Sequence, residues 1–396
     1  MIYLEPIGRI RKFDARPLCG LCFKGMNMKK TLVRLLVPVL ACALGTGSLA
    51  GCSLPSAAAQ SDPLSAEFYA MDTVMELRAY GDGAQDALDA SQAEIASLEN
   101  LLSRTKEDSE VSALNTAGGA AVSVSPATAR LLSASLDYSA LTGGAFDITI
   151  APVVSAWGFT TDTYQIPSQT ELDALLPLVD YTQVRVRNAA DGQGDQVSLG
   201  AGQSVDLGGI AKGYASDRLV HVFADNGVES GLAYLGGNVY VCGSKPDGSA
   251  WRVAVQDPDD ASGNVGVLSL RDAFAVTSGG YQRYFEENGV RYHHIIDPST
   301  GYPANNGLTS VTVVAAAEEN AGDESAAGSG TMCDAFSTAL FVMGTDKALD
   351  FWRANGGSLG FDLVLVTDDA RVLVTKGIGS QFEQAEGTDY TYEIIS

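Results

Sequence analysis

A chain of 396 residues, 46% hydrophobic and 18% charged, is long enough to bury the core of one large domain or of two packed subdomains. Its 48 acidic residues against 25 basic ones leave a formal charge of −23. That field repels phosphate backbones and no basic, aromatic-interleaved cluster offsets it, so nucleic acid is excluded as a partner. An anionic ligand would have to be held by local devices, such as a metal ion or a helix N-terminus.

Residues 1–51 read as leader rather than fold. From Met28 the chain runs MKKTLVRLLVPVLACALGTGSLAGCS, with a basic start at Lys29, Lys30 and Arg34, an apolar run, and small residues before a cysteine. The run is interrupted by Thr and Gly and is short for a membrane span. Leu49-Ala50-Gly51-Cys52 resembles a bacterial lipobox. Cys52 would then carry lipid and tether the chain to the cell membrane on its extracytoplasmic side; an ordinary cleaved signal with a chance cysteine is the alternative. Residues 52–63, rich in Ser and Ala, read as a flexible tether, and 64–396 as the folded domain. Of the six cysteines only Cys242 and Cys333 lie in that domain, and they read as buried thiols rather than a pair.

Within the domain, FYAMDTVMELRAY (68–80) alternates like a strand. Leu88, Ile95, Leu98 and Leu102 share one face of a helix. The next helix has Ser125 as N-cap, Pro126 in its first turn and Gly143 past its end. Ser168 and Glu171 form a capping-box pattern at the start of another. Strands follow at QVRVR, GLAYLGGNVYVCG, WRVAVQ and LTSVTVVA. Helices DAFSTALFVMG and DKALDFWRANGG come next, and strands FDLVLVT and RVLVTKG close the pattern. The low-complexity stretch 315–332 reads as a mobile surface insertion. This irregular alternation predicts a mixed α/β domain of the α+β class.

Four segments could carry chemistry. In VDLGGIAKGYASDRL (205–219), Asp206, the bare Gly208-Gly209 backbone and Lys212 crowd a helix N-terminus, where unpaired N–H groups favour an anion. A capped strand-to-helix turn is the plainer reading, and the spacing fits neither a triphosphate loop nor a dinucleotide fingerprint. Asp334 and Thr338, four apart on one helix face, suit a hard cation such as Mg²⁺, or are merely a helix-start acid and a solvent-facing Thr. His293 and His294 lie in an extended segment, so at most one of them faces a cleft. Phe146, after Gly143-Gly144, either lines a pocket for a flat ring or fills the core.

Taken in order, MDTVMEL, GGAFDITIAP, VDLGGIAKGYASD, LGGNVYVCG, VTSGGYQRYF, HIIDPSTGYP and DAFSTALFVMG resemble the ApbE family of FAD:protein FMN transferases, over roughly 64–380. The resemblance implies an ApbE-like fold of two packed subdomains with FAD in the cleft between them. It implies that Met71, Ala145, Phe146, Asp147, Asp206, Lys212, Ser278, Gly279, His294 and Ile295 contact FAD. Gly209, through its carbonyl, would bind Mg²⁺ with Asp334 and Thr338, and His294 would be the catalytic base. The implied reaction moves FMN from FAD to a Ser or Thr hydroxyl of an acceptor, releasing AMP, with subunits of extracytoplasmic redox complexes as acceptors. An Mg²⁺-dependent FAD pyrophosphatase and a non-catalytic FAD-binding lipoprotein are the alternatives. Two departures stand out: Asp72 occupies a position where the motif usually has Gly, and Cys333 one where a small residue is usual. A variable family position linked to flavin retention falls at Arg104 or Thr105.

Overall fold

The chain first reverses direction within the segment that reads as a single strand. In the computed structural model, which describes residues 62–161, 163–187, 194–317 and 327–396, Leu64–Ala70 pairs antiparallel with Thr73–Ala79 and Ala70 faces Thr73. Met71 and Asp72 form the two-residue turn, at φ 48° and 60°. Two successive positive φ values make a type I′ turn, whose twist suits a hairpin. The expected single strand over 68–80 is therefore two; no glycine marks the reversal. Residues 1–61, with the lipobox, Cys52 and most of the tether, lie outside the described residues.

That hairpin opens a nine-stranded sheet, ordered Leu64–Ala70, Thr73–Ala79, Ser230–Leu235, Asn238–Gly243, Ala273–Gly279, Leu308–Ala316, Phe361–Thr367, Arg371–Thr375 and Thr391–Ile395. Every neighbouring pair is antiparallel except the last. Eight α-helices are described: α1 (Ala84–Leu102), α2 (Glu110–Thr116), α3 (Pro126–Leu141), α4 (Ala151–Ala156), α5 (Gln169–Leu175), α6 (Ala211–Asp225), α7 (Ser329–Met343) and α8 (Thr345–Leu359). The predicted caps hold: Ser125 Oγ accepts the Thr128 N–H and Ser168 Oγ the Glu171 N–H.

Both faces of the sheet are covered, so its central strands are apolar on both sides. Val311 and Val313 point into the cluster formed with α1, α6, α7 and α8, and Val314 into a second cluster beneath the small sheet Trp251–Gln256, Asn264–Leu270 and Phe382–Gln384. A third cluster holds Val153, Trp157, Phe159, Leu172 and Ile296. Against it lies the two-stranded ribbon Tyr284–Glu287 and Val290–His293. The predicted insertion 315–332 is shorter than its composition suggests. Ala315 and Ala316 pair with Phe274 and Ala273, and Ser329 to Met332 open α7; 318–326 lie outside the described residues. Alanine and glycine carry too little pattern to reveal either end. Cys242 and Cys333 are free thiols, half-buried and buried.

Candidate active site

The N-terminal turns of α6 and α7 cross, and the residues expected to bind a cation meet at the crossing. Helical register would give the Gly213 N–H to the Gly209 carbonyl. Instead Gly213 donates to Asp334 Oδ2 at 2.8 Å, which spares the Gly209 carbonyl from helix bonding. Asp334 is 3% exposed, and its Oδ2 is 4.0 Å from Lys212 Nζ. A methyl group added at Gly209 would come within 3.4 Å of both Thr338 Oγ1 and Phe146 Cε2. Gly209, Phe146 and Thr338 thus border one small space, and glycine keeps it open. Ser278, at the end of strand Ala273–Gly279, places its hydroxyl 2.8 Å from Ser337 Oγ and 3.4 Å from Thr338 Oγ1.

The approach to α6 is braced by charge. Lys212 Nζ donates to the Gly208 carbonyl at 3.0 Å. Asp206 Oδ1 accepts the Gly208 N–H at 2.8 Å, and its Oδ2 accepts from Arg104 Nη1 at 2.8 Å. Arg104 also donates to Ser155 Oγ, so one guanidinium joins the loop after α1, helix α4 and the 205–210 loop. The family resemblance marks Arg104 or Thr105 only as a variable position, and a partner 102 residues away leaves no local signal.

Asp147 stands differently. Its Oδ1 accepts from Thr149 N and Oγ1 at 2.8 and 2.6 Å, and its Oδ2 from Tyr181 N at 3.1 Å. Burial pushes this carboxyl up, against those hydrogen bonds, which hold it down. The side chain is a bracket between two turns. Met71, in the hairpin turn, donates its N–H to Glu99 of α1 and packs against the main core. Ala145 packs against the main core. Gly279 is buried, and a side chain there would meet the Tyr281 ring. Ile295 is 5% exposed and its carbonyl accepts the Ala304 N–H.

The two histidines face opposite ways, as strand alternation requires. His293 Nε2 is 2.8 Å from the Ala304 carbonyl, and its Nδ1 accepts the Ile295 N–H; its ring packs edge-on against Phe341. His294 Nδ1 lies 3.1 Å from the Arg283 carbonyl. A carbonyl can only accept, so Nδ1 carries the proton and Nε2 keeps a lone pair. Burial, with Phe159 beside the ring, pushes the imidazole down to about 4. The charges of Arg283 and Lys212 act the same way, as would a proton gained by His293, and the hydrogen bond to Arg283 opposes them.

Among the described residues no group of three or more His, Cys, Asp or Glu side chains gathers to hold a metal. A cation at the α6–α7 crossing would rest on one carboxylate, one hydroxyl and one carbonyl, all hard oxygens, leaving positions for water and substrate. That donor set fits Mg²⁺.

The ApbE family model matches residues 71–360. An FAD:protein FMN transferase of Treponema pallidum (strain Nichols) is 33% identical over 368 residues, which is 89% of this chain and 96% of that protein. The Escherichia coli (strain K12) FAD:protein FMN transferase is 35% identical over 269 residues, 67% of this chain and 73% of that one. Among solved structures, the ApbE protein of Thermotoga maritima superposes with a TM-score of 0.68 at 30% identity, covering 82% of this chain and 97% of that one. The apo flavinyl transferase ApbE of Pseudomonas stutzeri also gives 0.68, at 27% identity, covering 82% and 98%. The fold described above and the full run of motifs from the Met71 turn to α8 fall within these matches, and the chain belongs to the ApbE family.

Proposed function

We propose that this chain transfers FMN from FAD to a Ser or Thr hydroxyl of an acceptor protein, releasing AMP. The observation that carries the reading is the meeting of Gly209, Asp334 and Thr338 at one helix crossing, with Lys212 alongside. Its relatives named FAD:protein FMN transferase support it.

Mg²⁺ held by Asp334, Thr338 and the Gly209 carbonyl supplies charge neutralisation at the pyrophosphate of FAD. The bare backbone at Gly208 and Gly209 admits that pyrophosphate, and Lys212 adds positive charge where the protein as a whole is acidic. His294 Nε2 accepts the proton of the attacking hydroxyl. The hydroxyl oxygen bonds to the FMN-side phosphorus, and the bond from that phosphorus to the oxygen retained by AMP breaks. Phe146, 5% exposed and bordering Gly209, closes one wall and limits water. We further propose that Cys52 anchors the chain by lipid to the bacterial membrane. Catalysis then takes place on the extracytoplasmic side, where the acceptors are subunits of redox complexes.

Mass spectrometry of an acceptor incubated with FAD and Mg²⁺ tests the reaction. The expected result is acceptor bearing one FMN on Ser or Thr, with AMP released in equal amount. Free FMN and AMP with unmodified acceptor would mean pyrophosphatase chemistry, and FAD bound but intact would mean a binding protein.

A further inference from the structure

Helices α6 and α7 cap each other's N-termini with exchanged carboxylates. Asp334 of α7 accepts the Gly213 N–H in the first turn of α6 at 2.8 Å. In the other direction, Asp217 of α6 accepts the N–H groups of Gly328, Gly330 and Thr331 at 2.8, 2.7 and 2.8 Å, and the Thr331 hydroxyl as well. These are the amides an isolated helix leaves unpaired, and α7 has no capping side chain of its own. Between the two carboxylates the backbones touch. A Cβ at Gly213 would lie 2.3 Å from the Gly330 carbonyl oxygen, and one at Gly330 would lie 2.7 Å from Asp217 Oδ1. Asp217 is 6% exposed, and no step of the proposed reaction uses it.

We propose that Asp217 is a positioning residue for the cation site: by holding the first turn of α7 against α6, it sets the separation between Gly209 on one side and Asp334 and Thr338 on the other. This rests on the reading of those three residues as Mg²⁺ ligands. The exchange also bears on how Asp334 would hold a cation. Its Oδ2 already accepts the Gly213 N–H, so a cation held through Oδ1 would take one carboxylate oxygen, a contact that would suit Mg²⁺. Outer residues that orient metal ligands typically change affinity by about 10- to 100-fold when altered.

The test uses the whole chain and Mn²⁺ as a spectroscopic probe, with binding read by electron paramagnetic resonance. Asp217→Asn preserves volume but turns an amide donor toward N–H groups. Thr331→Val preserves shape and removes a single donor to the same carboxylate. The expected result is faster hydrogen exchange at amides 328–331 in both variants. Mn²⁺ affinity should fall about tenfold or more in Asp217→Asn and less in Thr331→Val. Metal-free FAD affinity should stay within about twofold of wild type, a pattern that general loosening of the fold would not produce. Should Asp217→Asn fail to fold, Thr331→Val decides alone. Unchanged Mn²⁺ affinity in a folded variant with faster exchange, or unchanged exchange, overturns the proposal. Wild-type protein that binds no Mn²⁺ would instead defeat the metal reading itself.

Discussion

Two adjacent histidines carry their protons on different ring nitrogens, and only His294 keeps a lone pair free of the hydrogen bonds described. Because burial holds His294 at about 4, the ring is neutral across the physiological range. The acid limb of kcat/KM for transfer is expected near pH 4, well below the ordinary histidine value of about 6.5. An acid limb near 6.5 would show that the base is another group. Stability follows with a definite sign. The unfolded chain takes up this proton near 6.5 and the folded one near 4, so the contribution is complete above 6.5 and is lost as pH falls between those values. His294→Ala should therefore flatten the fall in urea stability between pH 7 and pH 5. The same variant should lose about 10²- to 10⁴-fold in transfer while still binding FAD. Asp72 offers a second test at this scale. At φ 60° it adopts a conformation that favours glycine. Asp72→Gly should raise stability by about 0.5–1 kcal/mol, measured by denaturant unfolding.

The ribbon Tyr284–Glu287 and Val290–His293 has two strands and ends one residue before His294. Alone it would be marginal; it is held by rings. Trp157, fully buried, lies 5.5 Å from Tyr292 and 6.3 Å from Phe285 between ring centroids, and its Nε1 donates to the Gly301 carbonyl at 2.7 Å. Trp157→Ala should cost about 3–5 kcal/mol in unfolding free energy. Its surviving folded fraction should transfer FMN more slowly while binding Mn²⁺ normally, because none of the proposed cation ligands Gly209, Asp334 and Thr338 lies in the ribbon. Equal loss of both would mean that the cluster supports the whole site. How legible such elements are depends on the range of the signal. Helices α3 and α5 showed their capping residues within four positions, and the glycines before α6 stood where they were expected. The hairpin turn at Met71-Asp72 was hidden because its left-handed pair contains no glycine. Asp217 binds amides more than 110 positions away, and Arg104 braces Asp206 across 102. Local periodicity is blind to both. The proposed cation ligands were reached through the ordered motifs, since Asp334 and Thr338 by spacing alone could equally have been an ordinary helix start.

At the scale of the whole molecule, a formal charge of −23 opposes the arrival of an anionic dinucleotide, while on the proposed reading Lys212 and the start of α6 attract it at short range. The two effects act over different distances and so answer differently to salt. The Debye length shrinks from about 30 Å at 0.01 M to about 8 Å at 0.15 M. Added salt therefore screens the distant carboxylates well before it screens contacts within the site. The association rate of FAD should rise severalfold over that range, the reverse of an encounter steered by attraction. The dissociation rate should change little. Stopped-flow quenching of flavin fluorescence in Mg²⁺ measures both. A fall in association rate with salt would mean that the ligand senses the local positive charge from afar and that the acidic surface lies away from the approach. Lys212→Met separates these cases. It should weaken FAD binding at every ionic strength yet keep the rise with salt, because the long-range repulsion belongs to the rest of the surface.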